Sequence, residues 1–175
     1  MIWLWYFIVY SFCGFLLEIG FAALIRHPKR DRKCFYLLPL CPVYGLGAIA
    51  ILLLPAFIQE TPFLLMVYGG AAATTVEYLV GVWDEKVLGV RFWDYSDLPG
   101  SVNGKISFLF SVAWSLLTLP LVNWLHPWIE RGVSQIPAWM FWPVLLFVMG
   151  DGLRTVVLLR TTGDTDSLKW YSQPL

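Results

Sequence analysis

Charge is scarce in this chain. Asp, Glu, Lys and Arg make up 14% of the 175 residues, where a soluble domain carries roughly a quarter. Histidine is scarcer still. His27 and His126 stand far apart, and the three cysteines, Cys13, Cys34 and Cys41, form no CxxC pair. These shortages exclude a zinc finger by ligand spacing and leave no Ser-His-Asp arrangement. The formal net charge is zero, so there is no basic field of the kind that nucleic acid requires. The run Gly100–Ile106 superficially resembles a phosphate loop. It has three residues between the glycines instead of four, and Ile106 where Ser or Thr should hold magnesium. No nucleotide-binding motif remains, and the cofactor and any metal stay open. The start, Met1 to Phe7, has no positive n-region, so the expectation is a retained first span instead of a cleaved signal peptide.

What is abundant is apolar surface. Hydrophobic residues make up 58% of the chain and aromatics 17%, more than a core of this length can bury. The class is an all-α integral membrane protein, a single transmembrane domain over 1–175. A helix needs about 20 apolar residues to span, and five segments qualify or come near: 2–25, 42–58, 62–83, 107–125 and 138–160. Between them lie loops 26–41 and 84–106, and a tail 161–175 follows. Pro42 suits a first helical turn, while Pro120 and Pro143 fall inside helices and should kink them. The turn Gln59-Glu60-Thr61 makes the second and third helices an antiparallel hairpin. Gly69 to Thr75 is a run of small residues that permits close helix contact.

Lys and Arg set the expected orientation. Eleven of the twelve fall on one side: Arg26, Lys29, Arg30, Arg32 and Lys33; Lys86, Arg91 and Lys105; Arg154, Arg160 and Lys169. Only Arg131 falls on the other. The amino terminus is expected outside and the carboxyl terminus in the cytoplasm. Trp3, Trp5, Trp124, Trp128, Trp139 and Trp142 gather toward the outer ends, and Trp83 and Trp93 toward the inner, as interfacial belts do.

Three acids interrupt the oily segments. At 1.5 Å per residue, Glu18, Glu77 and Asp151 lie about 10, 9 and 13 Å from the inner ends of their helices. Arg154 follows Asp151 by three positions, on the same helix face. A carboxylate in hydrocarbon costs a few kcal/mol on insertion scales, so it faces a partner, a cavity or a permeant. Two readings follow: a structural ion-pair cluster joining three helices, or a site for a cation, a proton or a polar solute. The loop 84–106 carries Trp93, Asp94, Tyr95, Ser96 and Asp97, followed by Asn103. Its short polar side chains suit turns, and Asn103 is placed to cap the fourth helix. The sharper alternative is a loop that closes the inner mouth of the acidic layer.

Several stretches resemble the bacterial family described as "putative ABC-transporter type IV", also called CmpB-like. They are Tyr10 to Glu18, Leu40-Cys41-Pro42-Val43-Tyr44-Gly45-Leu46-Gly47, Glu77-Tyr78, Trp93-Asp94-Tyr95-Ser96-Asp97-Leu98-Pro99, Asn103-Gly104 and Asp151. The resemblance implies a small polytopic inner-membrane protein, permease-like. Any ATPase would be another chain, and several copies would be needed to enclose a path. It singles out Glu18, Cys41, Tyr44, Glu77, Trp93, Asp94, Tyr95, Ser96, Asn103 and Asp151.

The leading expectation is therefore a transport-related protein that binds a cation, proton or small polar solute at Glu18, Glu77 and Asp151. Arg154 would balance charge, and Cys41, Tyr44 and the loop residues Trp93–Asp97 and Asn103 would gate. Its partners are the lipid bilayer and either further copies of itself or a separate ATPase or other subunit. The alternatives are a membrane-embedded enzyme acting on lipid or isoprenoid headgroups, and a structural or regulatory subunit of a membrane complex.

Overall fold

The computed structural model describes residues 1–24 and 34–169. The five basic residues expected in the first loop, Arg26 to Lys33, lie outside them, as do residues 170–175 of the expected tail. Among the described residues the chain is helical, with one isolated antiparallel bridge, Val102 to Ile106, and no strand.

Six helices follow in order. They are α1 (Ile2–Leu24), α2 (Pro42–Leu52), α3 (Ala56–Gln59), α4 (Pro62–Leu88), α5 (Phe108–Val133) and α6 (Ala138–Thr162). Helices α1, α4, α5 and α6 are long and apolar enough to cross a bilayer, and large apolar side chains such as Leu16, Phe63, Leu116 and Leu146 point outward from them. The expected class, an all-helical membrane protein, is what the coordinates show.

The segment expected to run unbroken over 42–58 stops at Leu52. Pro55 disfavours helical backbone in the residue before it. The side-chain Nε2 of Gln59 then donates to the carbonyls of Leu52 (3.1 Å) and Leu54 (2.7 Å) that the break leaves without partners. Two other helices outrun their expected ends. Helix α4 continues past Trp83 through a wide π-turn, Asp84–Leu88, and stops at Gly89 with φ of 73°. Helix α5 continues past Leu125 through another π-turn, Leu121–Leu125. That wide turn lies between Pro120 and Pro127, where a tight ladder would press each proline ring against a carbonyl four residues earlier.

Asn103 does not cap α5. It sits at φ of 54° in the preceding turn and donates its side-chain amide to Tyr78 Oη at 3.1 Å. The cap is Ser107, whose Oγ accepts from the amide of Phe110.

Helices α1, α2, α4 and α5 pack in sequence, each on the next, and the His126–Val133 end of α5 returns to α1. Close approach is written into glycines. A Cβ on Gly14 would sit 2.2 Å from the ring of Tyr44, and one on Gly45 would sit 2.3 Å from Ser11 Oγ. Bare backbone at both positions lets α1 and α2 touch along their length. Helix α6 is held differently, mainly by the Asp84–Leu88 turn of α4 and by the strap of chain from Cys34 to Cys41.

Candidate functional site

The tight α1–α2 contact aims Tyr44 at α1. Its hydroxyl donates to Glu18 Oε1 at 2.7 Å. On the neighbouring helix pair, Glu77 of α4 is only 4% exposed and receives two donors. Trp114 Nε1 of α5 reaches Oε2 at 3.0 Å, and Tyr95 Oη of the loop reaches Oε1 at 3.1 Å. The rings of Tyr44 and Trp114 lie 5.2 Å apart, and Tyr95 stacks on Phe110 at 4.5 Å. Glu18 and Glu77 thus line one chamber of about 420 Å³, walled by Tyr44, Tyr95, Phe110 and Trp114 and bounded on one side by Cys34 and Cys41. All the donors to Glu77 are neutral. Neutral hydrogen bonds satisfy lone pairs without cancelling charge, so this carboxylate remains an attractor for a cation or a proton.

Asp151 stands elsewhere. Its carboxylate accepts the backbone amides of Leu37 (2.9 and 3.1 Å) and Leu38 (2.8 Å), and the amide of Tyr36 donates to Thr155 Oγ1 at 2.9 Å. Asp151 therefore fastens the strap to α6 and does not line the Glu18–Glu77 chamber. Arg154, one turn on, is exposed. Its guanidinium carbon lies 3.9 Å from the centre of the Tyr36 ring, a cation–π contact that braces the same strap. The three acids expected around one pocket divide into a pair and an anchor.

The loop also divides. Trp93 and Tyr95 face inward and line the chamber, while Asp94, Ser96 and Asp97 are exposed. Asp94 Oδ1 accepts from the Ser96 amide (2.9 Å) and hydroxyl (2.5 Å), which closes a turn. Those two bonds, helped by Arg91, hold the Asp94 carboxyl below its usual range. Trp93 Nε1 donates to the carbonyl of Lys105 at 2.8 Å, and the Tyr95 amide donates to the Gly104 carbonyl at 2.8 Å. Lys105 and Arg91 both pair with Glu85 of α4. These bonds pin the loop across the end of the α4–α5 pair and hold Tyr95 over Glu77.

Cys41 is buried at the start of α2. Its amide donates to the Ser11 carbonyl of α1 at 3.0 Å, and its Sγ lies 3.7 Å from that of Cys34. The hydrogen bond to Cys41, with burial behind it, pushes the Cys34 thiol well above its usual range. Among the described residues, no three His, Cys, Asp or Glu gather closely enough to hold a metal ion.

The description "Putative ABC-transporter type IV" belongs to the family model that matches residues 5–154, a stretch that includes both chamber acids, the strap and the loop. The chain belongs to this family. No curated protein and no solved structure matches it significantly. Two residues of the family's stretch escape a reading of the sequence. Trp114 lies in mid-segment with nothing in the sequence to single it out, yet its indole is a donor to Glu77. Asp84 looks like the first residue of a loop, yet it lies in the last turn of α4 and is 6% exposed. Asp84 stands seven residues after Glu77 on α4, about two turns, which was the available signal that the two acids share a helix face.

Proposed function

We propose that the chain is the membrane-embedded component of a transport system, and that the Glu18–Glu77 chamber holds a cation or a small polar solute. The observation that carries this reading is the pair of carboxylates lining one aromatic-walled cavity of about 420 Å³. A volume of this size is within the range of about 300–1,000 Å³ usual for ligand pockets. Carboxylate oxygens and π-faces both favour positive charge. Asp151 and Arg154 leave the ligand set, because their partners are in the strap.

Tyr95 is the gate in this proposal. It covers Glu77 from a loop that can be withdrawn without unfolding a helix, and Trp93 closes the chamber beside it. The bias of Lys and Arg supports an amino terminus outside and a carboxyl terminus in the cytoplasm, with α2 and α3 together returning the chain across the plasma (inner) membrane. The family's description supports an ATPase carried on another chain, since this one has no nucleotide-binding motif. That subunit, or further copies of this chain, would cover the outward faces.

The test is Glu77→Gln in proteoliposomes challenged with labelled monovalent and divalent cations and small polar solutes. The substitution keeps the shape and one acceptor, which the donor-only Trp114 Nε1 needs, turns the other position into a donor that Tyr95 Oη can accept, and removes the charge. The expected result is loss of the uptake or binding seen with the native chain, with normal insertion and yield. Undiminished uptake in that variant rejects the proposal.

A further inference from the structure

A second chamber, of about 430 Å³, adjoins the first and shares Cys34, Val43, Phe92 and Trp93 as a common wall. Its polar feature is Asp84. This side chain is 6% exposed and makes no hydrogen bond or ion pair with any described residue; its backbone is engaged in the helix, the N–H donating to Val80 and Gly81 and the carbonyl accepting from Gly89 and, at 3.1 Å, from Val90. Behind it a crevice of about 10 Å³ is lined by Arg91 and Lys105, room for about one water. Both of those cations pair with Glu85 instead. An ionised carboxylate without a partner in an apolar setting costs several kcal/mol, and no described residue pairs with it to offset that cost.

We propose that this chamber is a binding site for a lipophilic organic cation, a bulky onium with an apolar body, whose charge rests against Asp84. Three observations select that class. The walls are largely apolar, with Phe35, Trp83, Phe92 and Trp93 lining the same chamber as the acid, and ring faces attract onium charge without stripping it of hydrogen bonds it does not have. Among the described residues, no three His, Cys, Asp or Glu gather here to hold a metal ion. The rim residues Leu46, Leu79 and Trp83 are 42%, 59% and 52% exposed on the apolar outer surface, so the chamber opens sideways toward the lipid, where such cations concentrate. This site is separate from the Glu18–Glu77 chamber and does not depend on what that chamber carries.

The experiment uses the full chain in nanodiscs with labelled tetraphenylphosphonium, and tetraphenylborate as the same shape with opposite charge; empty nanodiscs supply the background. The native chain should bind the phosphonium saturably and not the borate. Asp84→Asn should weaken it about ten- to a hundredfold, the worth of one buried charge contact, while Asp84→Glu restores most of the affinity. Leu46→Trp, which fills the chamber from its rim and leaves the acid in place, should weaken binding to a similar degree and covers the case of an Asp84 variant that does not fold. Equal binding of the borate, or unchanged affinity in both Asp84→Asn and Leu46→Trp, overturns the proposal. So does loss of binding in Glu77→Gln with retention in Asp84→Asn, which would put the cation in the other chamber and leave the proposed function standing.

Discussion

Tyr44 reaches Glu18 because Gly14, one turn earlier on α1, has no side chain to hold its ring away. Gly14→Ala should therefore act on the chamber through packing alone. Its methyl would meet the ring at 2.2 Å, and overpacking of this kind costs about 1–3 kcal/mol. The expected outcome is a lower melting temperature in detergent and weaker ligand binding in the chamber. Gly20→Ala on the same helix meets nothing within 4 Å and should leave both unchanged or slightly improved.

Asp151 should prove to be a stability residue. Asp151→Asn replaces charge-assisted hydrogen bonds to the Leu37 and Leu38 amides, and bonds of that type contribute about 1.5–3 kcal/mol each. Hydrogen exchange is the direct measurement: amides 36–38 should lose protection in the variant, and the melting temperature should fall. Binding in the Glu18–Glu77 chamber by the protein that remains folded should be retained. Loss of affinity with full protection at 36–38 would return Asp151 to the ligand set.

Cys34 and Cys41 are 3.7 Å apart, and a disulfide needs their sulfurs at about 2.05 Å. Treatment with diamide should oxidise the pair, its two electrons and two protons passing to the diazene, and peptide mass mapping should find the 34–41 bridge in preference to any with Cys13. Before oxidation, Cys34 should alkylate slowly at neutral pH, since its raised pKa keeps the nucleophilic thiolate scarce. Cys41→Ala removes the sulfur that accepts its hydrogen bond and should speed the reaction.

The loop turn should resist acid. The Asp94 carboxyl is held below its usual range by Ser96 first and Arg91 after it. A depressed folded-state pKa means the turn's contribution is complete above the unfolded value of about 3.9. It declines only as pH falls through the lower folded value. Limited proteolysis between residues 91 and 106 should accordingly stay slow at neutral and mildly acidic pH and rise below that. Asp94→Asn should show the faster cleavage already at pH 7.

Much of the site's location could be read from the order of residues, but not its facing. Glu18 and Glu77 stood out because each breaks an apolar run, and a charged group in such a run must face something polar. That argument fixes depth along a helix and says nothing of azimuth. Asp151 met the same criterion and turned out to face the strap, whose amides no hydropathy pattern reveals. Asp84 was hidden by its neighbours, because Glu85 and Lys86 make the segment look like a solvated loop until the π-turn carries the helix on to Leu88. Trp93 and Tyr95 were marked by their place in an unusual aromatic loop, while Trp114 sat in an apolar run with nothing beside it to mark a polar role. The helix break at Pro55 was available from proline chemistry and was masked by the apolar residues on either side.

Every residue that lines the Glu18–Glu77 chamber lies before position 118 in the chain, whereas the Asp84 chamber takes Gly152, Thr155 and Val156 from the last helix. During synthesis the first compartment is thus fully encoded before α6 leaves the ribosome. Helix α6 arrives as a later-fitted panel, clipped on through Asp151, that finishes only the second. Biogenesis of this molecule has a built-in order, in which the acid pair is housed early and the Asp84 chamber is completed only when α6 joins.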